Sequence, residues 1–163
     1  MKRTHPSPPA IITGADNVVL HAVNATVKDP LSPEIQALLT EMVQAMRLAD
    51  GIGLAAPQIN QNLRICVTEI EGDVKYFINP KITSASSDKI LFEEGCLSLP
   101  GEFLTIERSD QVTVRYLDET GQDRKLRARG LLAICLQHEL DHLDGILISD
   151  RYKNQKNKHA YAL

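Results

Sequence analysis

The chain has 163 residues, 43% of them hydrophobic, with 18 Lys+Arg against 21 Asp+Glu and a net charge of −3. That length suits one domain able to bury about two-thirds of its unfolded surface, and the weakly acidic balance argues against nucleic-acid binding as a main role. Only 4% of residues are aromatic, and three cysteines are too few for a disulfide framework, so aliphatic packing in a reducing compartment is expected.

Taken in order, residues 1–16 are proline-rich and polar and read as a loose N-terminal arm. Lys2 and Arg3 could open a secretory signal, but Pro6, Pro8 and Pro9 follow and the apolar run Ala10-Ile11-Ile12 is too short for one. No stretch approaches a membrane span, so a cytoplasmic location is expected, without direct membrane or nucleic-acid binding. Ser32 and Pro33 cap and open a helix whose apolar residues Ile35, Leu38, Leu39, Met42, Val43 and Met46 fall on the 3, 4, 7 spacing, ending near Gly51. The strip Gly51-Ile52-Gly53-Leu54-Ala55-Ala56-Pro57-Gln58 comes next. Its glycines and alanines let backbone meet its neighbour, and it lacks the spacing of a dinucleotide or phosphate loop. Gln58 is its one uncharged side chain able to donate a hydrogen bond. From 63 to 127 the pattern turns to strands: Ile65-Cys66-Val67, Tyr76-Phe77-Ile78 before Asn79-Pro80, and Val112-Thr113-Val114-Arg115-Tyr116, with a turn at Asp118-Glu119-Thr120-Gly121. Gly130 precedes a second helix, and residues 151–163 form a short polar C-terminal tail, expected to be solvated. This order reads as α+β: small, mostly antiparallel sheets surrounding a central buried helix.

Chemistry concentrates in that second helix, where His138, Glu139 and His142 form an H-E-x-x-H pattern. Residues four apart share a helix face, so both imidazoles can reach one ion while Glu139 flanks it closely enough to move a proton. Leu131, Leu132, Ile134, Leu136, Leu140 and Leu143 surround the motif, which marks a buried helix rather than an exposed charged face. A catalytic site of this kind takes three protein ligands. Cys135 shares the face with both histidines, but Cys135 and His142 lie about 10 Å apart along the axis, too far for one ion. Cys96, in Glu93-Glu94-Gly95-Cys96-Leu97-Ser98, can approach from outside the helix and is the better candidate. Cys66 reads as core, and Cys135 as a small buried hydrophobe able to line a pocket beside the metal.

Three segments stand in order: G-x-G-x-A-A-x-Q at 51–58, E-G-C-L-S at 94–98 and Q-H-E-x-D-H at 137–142. Together they resemble the peptide deformylase family, over roughly residues 20–150. The resemblance implies a hydrolase of N-terminal processing in protein biosynthesis. Such an enzyme removes the N-formyl group from the formyl-methionine of newly made polypeptides and releases formate. It makes 17–150 a single catalytic domain. Cys96, His138 and His142 would bind one divalent metal ion, Fe(II) by family preference; Zn, Ni and Co also suit two imidazoles and a thiolate. Glu139 would be the general acid/base, with Gln58 and the Leu97 N–H as oxyanion donors. The substrate backbone would pair as an added strand with Ile52 and Gly95, beside Gly53. Ile52, Leu97, Leu131, Ile134 and Cys135 would wall the methionine side chain, and Glu94 and Asp141 would support the ligating histidines from behind.

Departures accompany these matches. Leu20-His21 stands where the family usually has Leu-Arg, and Pro100-Gly101-Glu102-Phe103 where some members carry an arginine for the substrate backbone. The chain ends at Leu163, soon after His142, so the ribosome-docking helix of many bacterial members is not expected. His5, His21 and His159 read as incidental. Two other readings share the motif: a metallopeptidase, whose third ligand is usually His or Glu, and a non-catalytic protein stapled by a metal closed off with a fourth side chain, for which Cys135 is the nearby candidate.

Overall fold

The computed structural model describes residues 7–160. The first six residues of the expected arm, His5 among them, the last three of the tail and the His159 side chain lie outside the described residues.

Helix α1, Pro33–Leu48, starts where the sequence places its cap: the Ser32 hydroxyl accepts from the Ile35 N–H at 3.4 Å, and Pro33 opens the first turn. Arg47 sits in the last turn, where a cation suits the helix dipole, and Asp50 leaves the helix at φ 54°. Strand β1, Gly53–Ala55, and a short 3₁₀ helix, Ala56–Ile59, follow. Strands β2, Ile65–Ile70, and β3, Asp73–Ala85, precede a hairpin of β4, Lys89–Cys96, and β5, Leu99–Ser109. Then come β6, Gln111–Leu117, β7, Asp123–Arg129, and helices α2, Gly130–Leu143, and α3, Ile148–Ala160. The strands form an antiparallel five-stranded sheet, β1-β2-β3-β6-β7, and the separate two-stranded β4-β5 hairpin. The expectation of an α+β fold with antiparallel sheets holds.

Alternation along the strands explains how this sheet serves two helices. Ile65, Val67 and Ile78 pack with Leu39, Met42 and Met46 of α1, whereas Cys66 and Phe77 pack with Ala133, Leu136 and Leu140 of α2. Both faces of β2 are therefore covered, which is why Ile65-Cys66-Val67 is a continuous apolar run rather than an alternating one. A third cluster, with Leu20, Cys96, Leu99, Ile106, Leu147 and Ile148, joins the hairpin to the N-terminal segment and to the start of α3.

Strand β3 does not stop at Asn79-Pro80. Asn79 takes φ 51° at a register shift between Ile78 and Lys81, and its side chain exchanges bonds of 2.8 and 2.9 Å with the Val27 backbone. A bulge needs no ladder donor from Pro80, so the strand passes through. The hairpin was not legible as two named strands because most of β4 is exposed and lacks a clean period of two. Residues 11–15 of the expected arm meet the body: Ile12 N–H donates to the Gln58 carbonyl at 2.7 Å and Gly14 N–H to the Ser98 carbonyl at 3.0 Å. Much of the expected tail is helical in α3, where Gln155 Oε1 accepts from the Glu107 N–H of β5 at 2.8 Å.

Gln137 pins α2 to the end of β5, its Oε1 accepting from the Ser109 N–H at 3.0 Å and its Nε2 donating to the Ser109 and Ala133 carbonyls at 2.8 and 2.9 Å. Gln137→Ala leaves the buried Ser109 N–H without that partner and is expected to cost about 1–3 kcal/mol in a denaturant titration. A variant as stable as the parent would show that these bonds do not hold the helix to the hairpin.

Candidate metal centre

One turn of α2 carries His138 and His142 with their Nε2 atoms 3.2 Å apart, and Cys96 Sγ lies 3.3 Å from His142 Nε2. All three candidate ligand atoms fall within 4.8 Å of one another. Strand β4 delivers two groups to this place. Glu94 and Cys96, two residues apart and both buried, share one face of the strand. The Glu94 carboxylate lies 2.9 Å from His138 Nδ1, so the ring donates there and keeps Nε2 for the cluster.

Behind Glu94 lies a chain of buried charge. Arg108 of β5, 3% exposed, donates to Glu94 at 2.7 and 2.9 Å and to Asp141 at 2.6 Å. Arg151 of α3 also donates to both oxygens of Asp141. Burial would raise the Glu94 pKa, but Arg108 and His138 outweigh it and hold the carboxyl at about 2. Asp141 departs from the expected role: its acceptors are taken by the two arginines and, among the described residues, it reaches no histidine and His142 Nδ1 has no hydrogen-bond partner. Sequence reasoning missed Arg108 and Arg151. The available signal was Ile106 and Arg108 in alternation on a buried strand face, an inward charge that demands a partner.

Glu139 sits beside the cluster with Oε2 buried and unpartnered, and burial pushes its pKa up to about 7. Gly53 is why a strand can lie against it, since a Cβ there would stand 2.4 Å from Glu139 Oε1 and 2.7 Å from Cys135 Sγ. The Gln58 amide is fixed by the Ala55 N–H, which its Oε1 accepts at 2.9 Å. Its Nε2 donates to Ser98 Oγ at 3.1 Å and points toward Cys96 Sγ at 4.0 Å. Ser98 is fully buried and was not singled out from sequence.

These groups head a cavity of about 640 Å³. Every residue proposed from sequence to contact substrate lines it: Ile52, Gly53, Gly95, Leu97, Leu131, Ile134 and Cys135. Phe92 and Phe103 extend the apolar lining outward; Asp50, Glu93 and Glu102 add acid, and among the described residues no Lys or Arg lines the cavity. Cys66 is core, fully buried with Phe77 and Leu136.

The donor set suits a cation. Lone-pair atoms brought this close repel one another unless positive charge sits among them. In the bare protein a proton serves: burial disfavours a charged His138, but the Cys96 sulfur and Glu94 outweigh it and raise its pKa to about 10. His142, deeply buried beside that charge, is pushed well below its ordinary value and stays neutral. A divalent ion on these three atoms would displace the His138 proton, so its binding strengthens as pH rises.

Comparison with known proteins bears on this geometry. The Polypeptide deformylase family matches residues 9–158. The chain is 44% identical over 138 residues to a peptide deformylase of Treponema pallidum (strain Nichols), covering 83% of this chain and 85% of that one. It is 46% identical over 132 residues to peptide deformylase 2 of Xanthomonas campestris pv. campestris, covering 79% and 77%. Among solved structures, a peptide deformylase from Synechococcus elongatus in complex with actinonin superposes with TM-score 0.86 at 40% identity, over 91% of this chain and 83% of that one. A Met-Ala-Ser-bound class I type b enzyme from Acinetobacter baumannii gives 0.85 at 31%, over 89% and 99%.

Because the folded-state pKa of Glu139 lies above its ordinary 4.5, the stability tied to it is complete below that value and is lost as pH rises through about 7. Metal-free Glu139→Gln escapes the penalty. It is expected to exceed the metal-free parent by up to about 3 kcal/mol at pH 8, the gain vanishing toward pH 4.5. Urea titrations at several pH values would measure it, and a pH-independent difference would contradict burial of the charged carboxylate.

Proposed function

The chain belongs to the polypeptide deformylase family, a family of hydrolases, and within it we propose that it removes the N-formyl group from formyl-methionyl nascent peptides, releasing formate. The observation that carries this is the convergence of Cys96 Sγ, His138 Nε2 and His142 Nε2 beside a buried carboxyl at the head of an apolar cavity. Residues 17–150 act as the catalytic unit, with α2 as its central helix and the reaction in the cytoplasm where nascent chains emerge.

Cys96, His138 and His142 would hold one divalent ion, Fe(II) by family preference, with Zn, Ni and Co admitted by the same donors. Bound there, the ion supplies a Lewis acid that activates water and polarises the formyl carbonyl. Glu139 accepts the proton of the attacking water and returns it to the departing amine; a carboxyl held near pH 7 suits both transfers. The Gln58 amide and the Leu97 N–H donate to the carbonyl oxygen as charge develops on it, and losing one such donor typically costs about 3–4 kcal/mol of barrier. Ser98 and the Ala55 N–H hold that amide in place beforehand.

The methionine side chain lies against Ile52, Leu97, Leu131, Ile134 and Cys135, and the peptide backbone pairs beside Gly53 and Gly95. The Met-Ala-Ser complex of the Acinetobacter baumannii enzyme supports a peptide in this cavity. Phe103 occupies the stretch where some members carry a substrate-binding arginine, so grip beyond the first residue is apolar rather than ionic. A metal staple would need a fourth side chain, and Cys135 is turned away, its Sγ 3.8 Å from the Ile52 carbonyl.

Formyl- and acetyl-methionyl-alanyl-serine compared by kcat/KM with one metal, under exclusion of oxygen, test the activity. The acetyl peptide should fall by more than the roughly 10- to 200-fold that one methylene makes in a roomy pocket, because the extra methyl displaces the reacting carbon. Turnover of the two within a few-fold would sink the deformylase reading.

Metal analysis separates the cysteines. Cys96→Ser should lose most bound metal, whereas Cys135→Ser should keep it and change chiefly KM for methionyl substrates. Equal metal loss in both would point to a closed, structural site.

A further inference from the structure

The His21 ring, expected to be incidental, is held between two backbone carbonyls. Nε2 lies 2.7 Å from the Ala15 oxygen and Nδ1 lies 3.0 Å from the Gly145 oxygen. Carbonyls only accept, and a neutral imidazole has a single N–H to donate, so both bonds form together only when the ring is an imidazolium. The surroundings favour that form. Asp150 of α3 is 3.9 Å from Nδ1, the charge of Asp16 also favours a cation here, and Asp144, beside Gly145, is occupied by Arg64 at 2.7 Å. The Ala15 bond, with burial opposing it and the Gly145 bond and both aspartates adding to it, raises the His21 pKa.

What the ring ties together gives the contact its consequence. Ala15 ends a stretch in which Gly14 N–H donates to the Ser98 carbonyl at 3.0 Å and Ile12 N–H to the Gln58 carbonyl at 2.7 Å. Gln58 and Ser98 come from separate elements, and these bonds join the two segments that carry the oxyanion donors. At the other end, Gly145 follows α2 at φ 71°, packed so closely that a Cβ would stand 2.8 Å from the His21 carbonyl oxygen. Asn24, three residues on, donates to the His142 and Leu143 carbonyls at 3.3 and 3.0 Å.

We propose that His21 is a positioning residue for deformylation: as an imidazolium it clamps residues 12–15 to the turn after α2 and so holds Gln58 and the Leu97-Ser98 backbone in register with the metal helix. Loss of its second proton releases one of the two bonds and loosens the oxyanion donors. The role rests on the deformylase reading above.

The test uses the metal-loaded full chain. NMR titration of the His21 ring gives its protonation, and hydrogen exchange at the Ile12 and Gly14 amides, corrected for intrinsic rates, reports the clamp. Protection of both amides should fall as His21 titrates. In parallel, kcat for formyl-methionyl-alanyl-serine should decline over the same pH range. His21→Gln, whose single donor nitrogen cannot stand in for both ring nitrogens at once, should show a kcat lowered about tenfold at neutral pH, with KM little changed and without that limb, as expected for displaced catalytic donors. His21→Arg, a fixed cation with several donors, should restore protection and kcat at high pH. Amide protection that ignores His21 titration in the parent enzyme overturns the proposal without recourse to any variant. So does a His21→Gln profile that superposes on the parent. Absence of formate release by the parent enzyme would overturn the deformylase reading itself and this role with it.

Discussion

A single guanidinium, 3% exposed, joins the two elements that present the metal-ligand candidates: Arg108 on β5 grips Glu94 of β4 with two bonds and Asp141 of α2 with a third. Burying three charges is costly, and the arrangement survives because each is matched and hydrogen-bonded. Taking away one partner of such a buried pair typically costs about 3–5 kcal/mol, whereas exposed pairs such as Arg47–Glu69 and Arg115–Asp123 are screened by solvent and add little. The ion pairing that matters to the fold is therefore the same ion pairing that orients His138.

That chain of charge also has a direction. Arg151 extends it from Asp141 to α3, and the Glu94 end stops at His138 Nδ1. A buried polar stretch thus helps to fix a ring on the neighbouring helix. His142 is held differently, through its backbone by Asn24 and by close packing, with its ring buried to 1% exposure. The two histidines share a motif but not a support.

Close backbone approach is the second constraint. β1 can lie against Glu139 because position 53 has no side chain, and the same contact buries the carboxyl and raises its pKa into the range where it can both take and return a proton. The close approach of β1 and the buried, protonatable carboxyl thus have one structural cause. Gly51 repeats the device beside Leu97, where a Cβ would stand 2.8 Å from the leucine side chain.

Much of this was legible along the chain wherever the signal was local. The cap at Ser32, the stripe of α1, the buried run 65–67, the turn at 118–121 and the H-E-x-x-H spacing each depend on residues a few positions apart, and each was read correctly. Cys96 was selected because its segment could reach the helix from outside. What escaped were relations between distant positions: Arg108 with Asp141, Asp141 turned away from the histidines, His21 between residues 15 and 145, and a bulge carrying β3 past Pro80. Residue type, spacing and order determined the chemistry, since a helix face or a strand period follows from backbone geometry alone. Only the tertiary structure decided which charges meet and which carboxyl is stripped of water, because pairing and desolvation depend on packing between elements that the sequence leaves far apart.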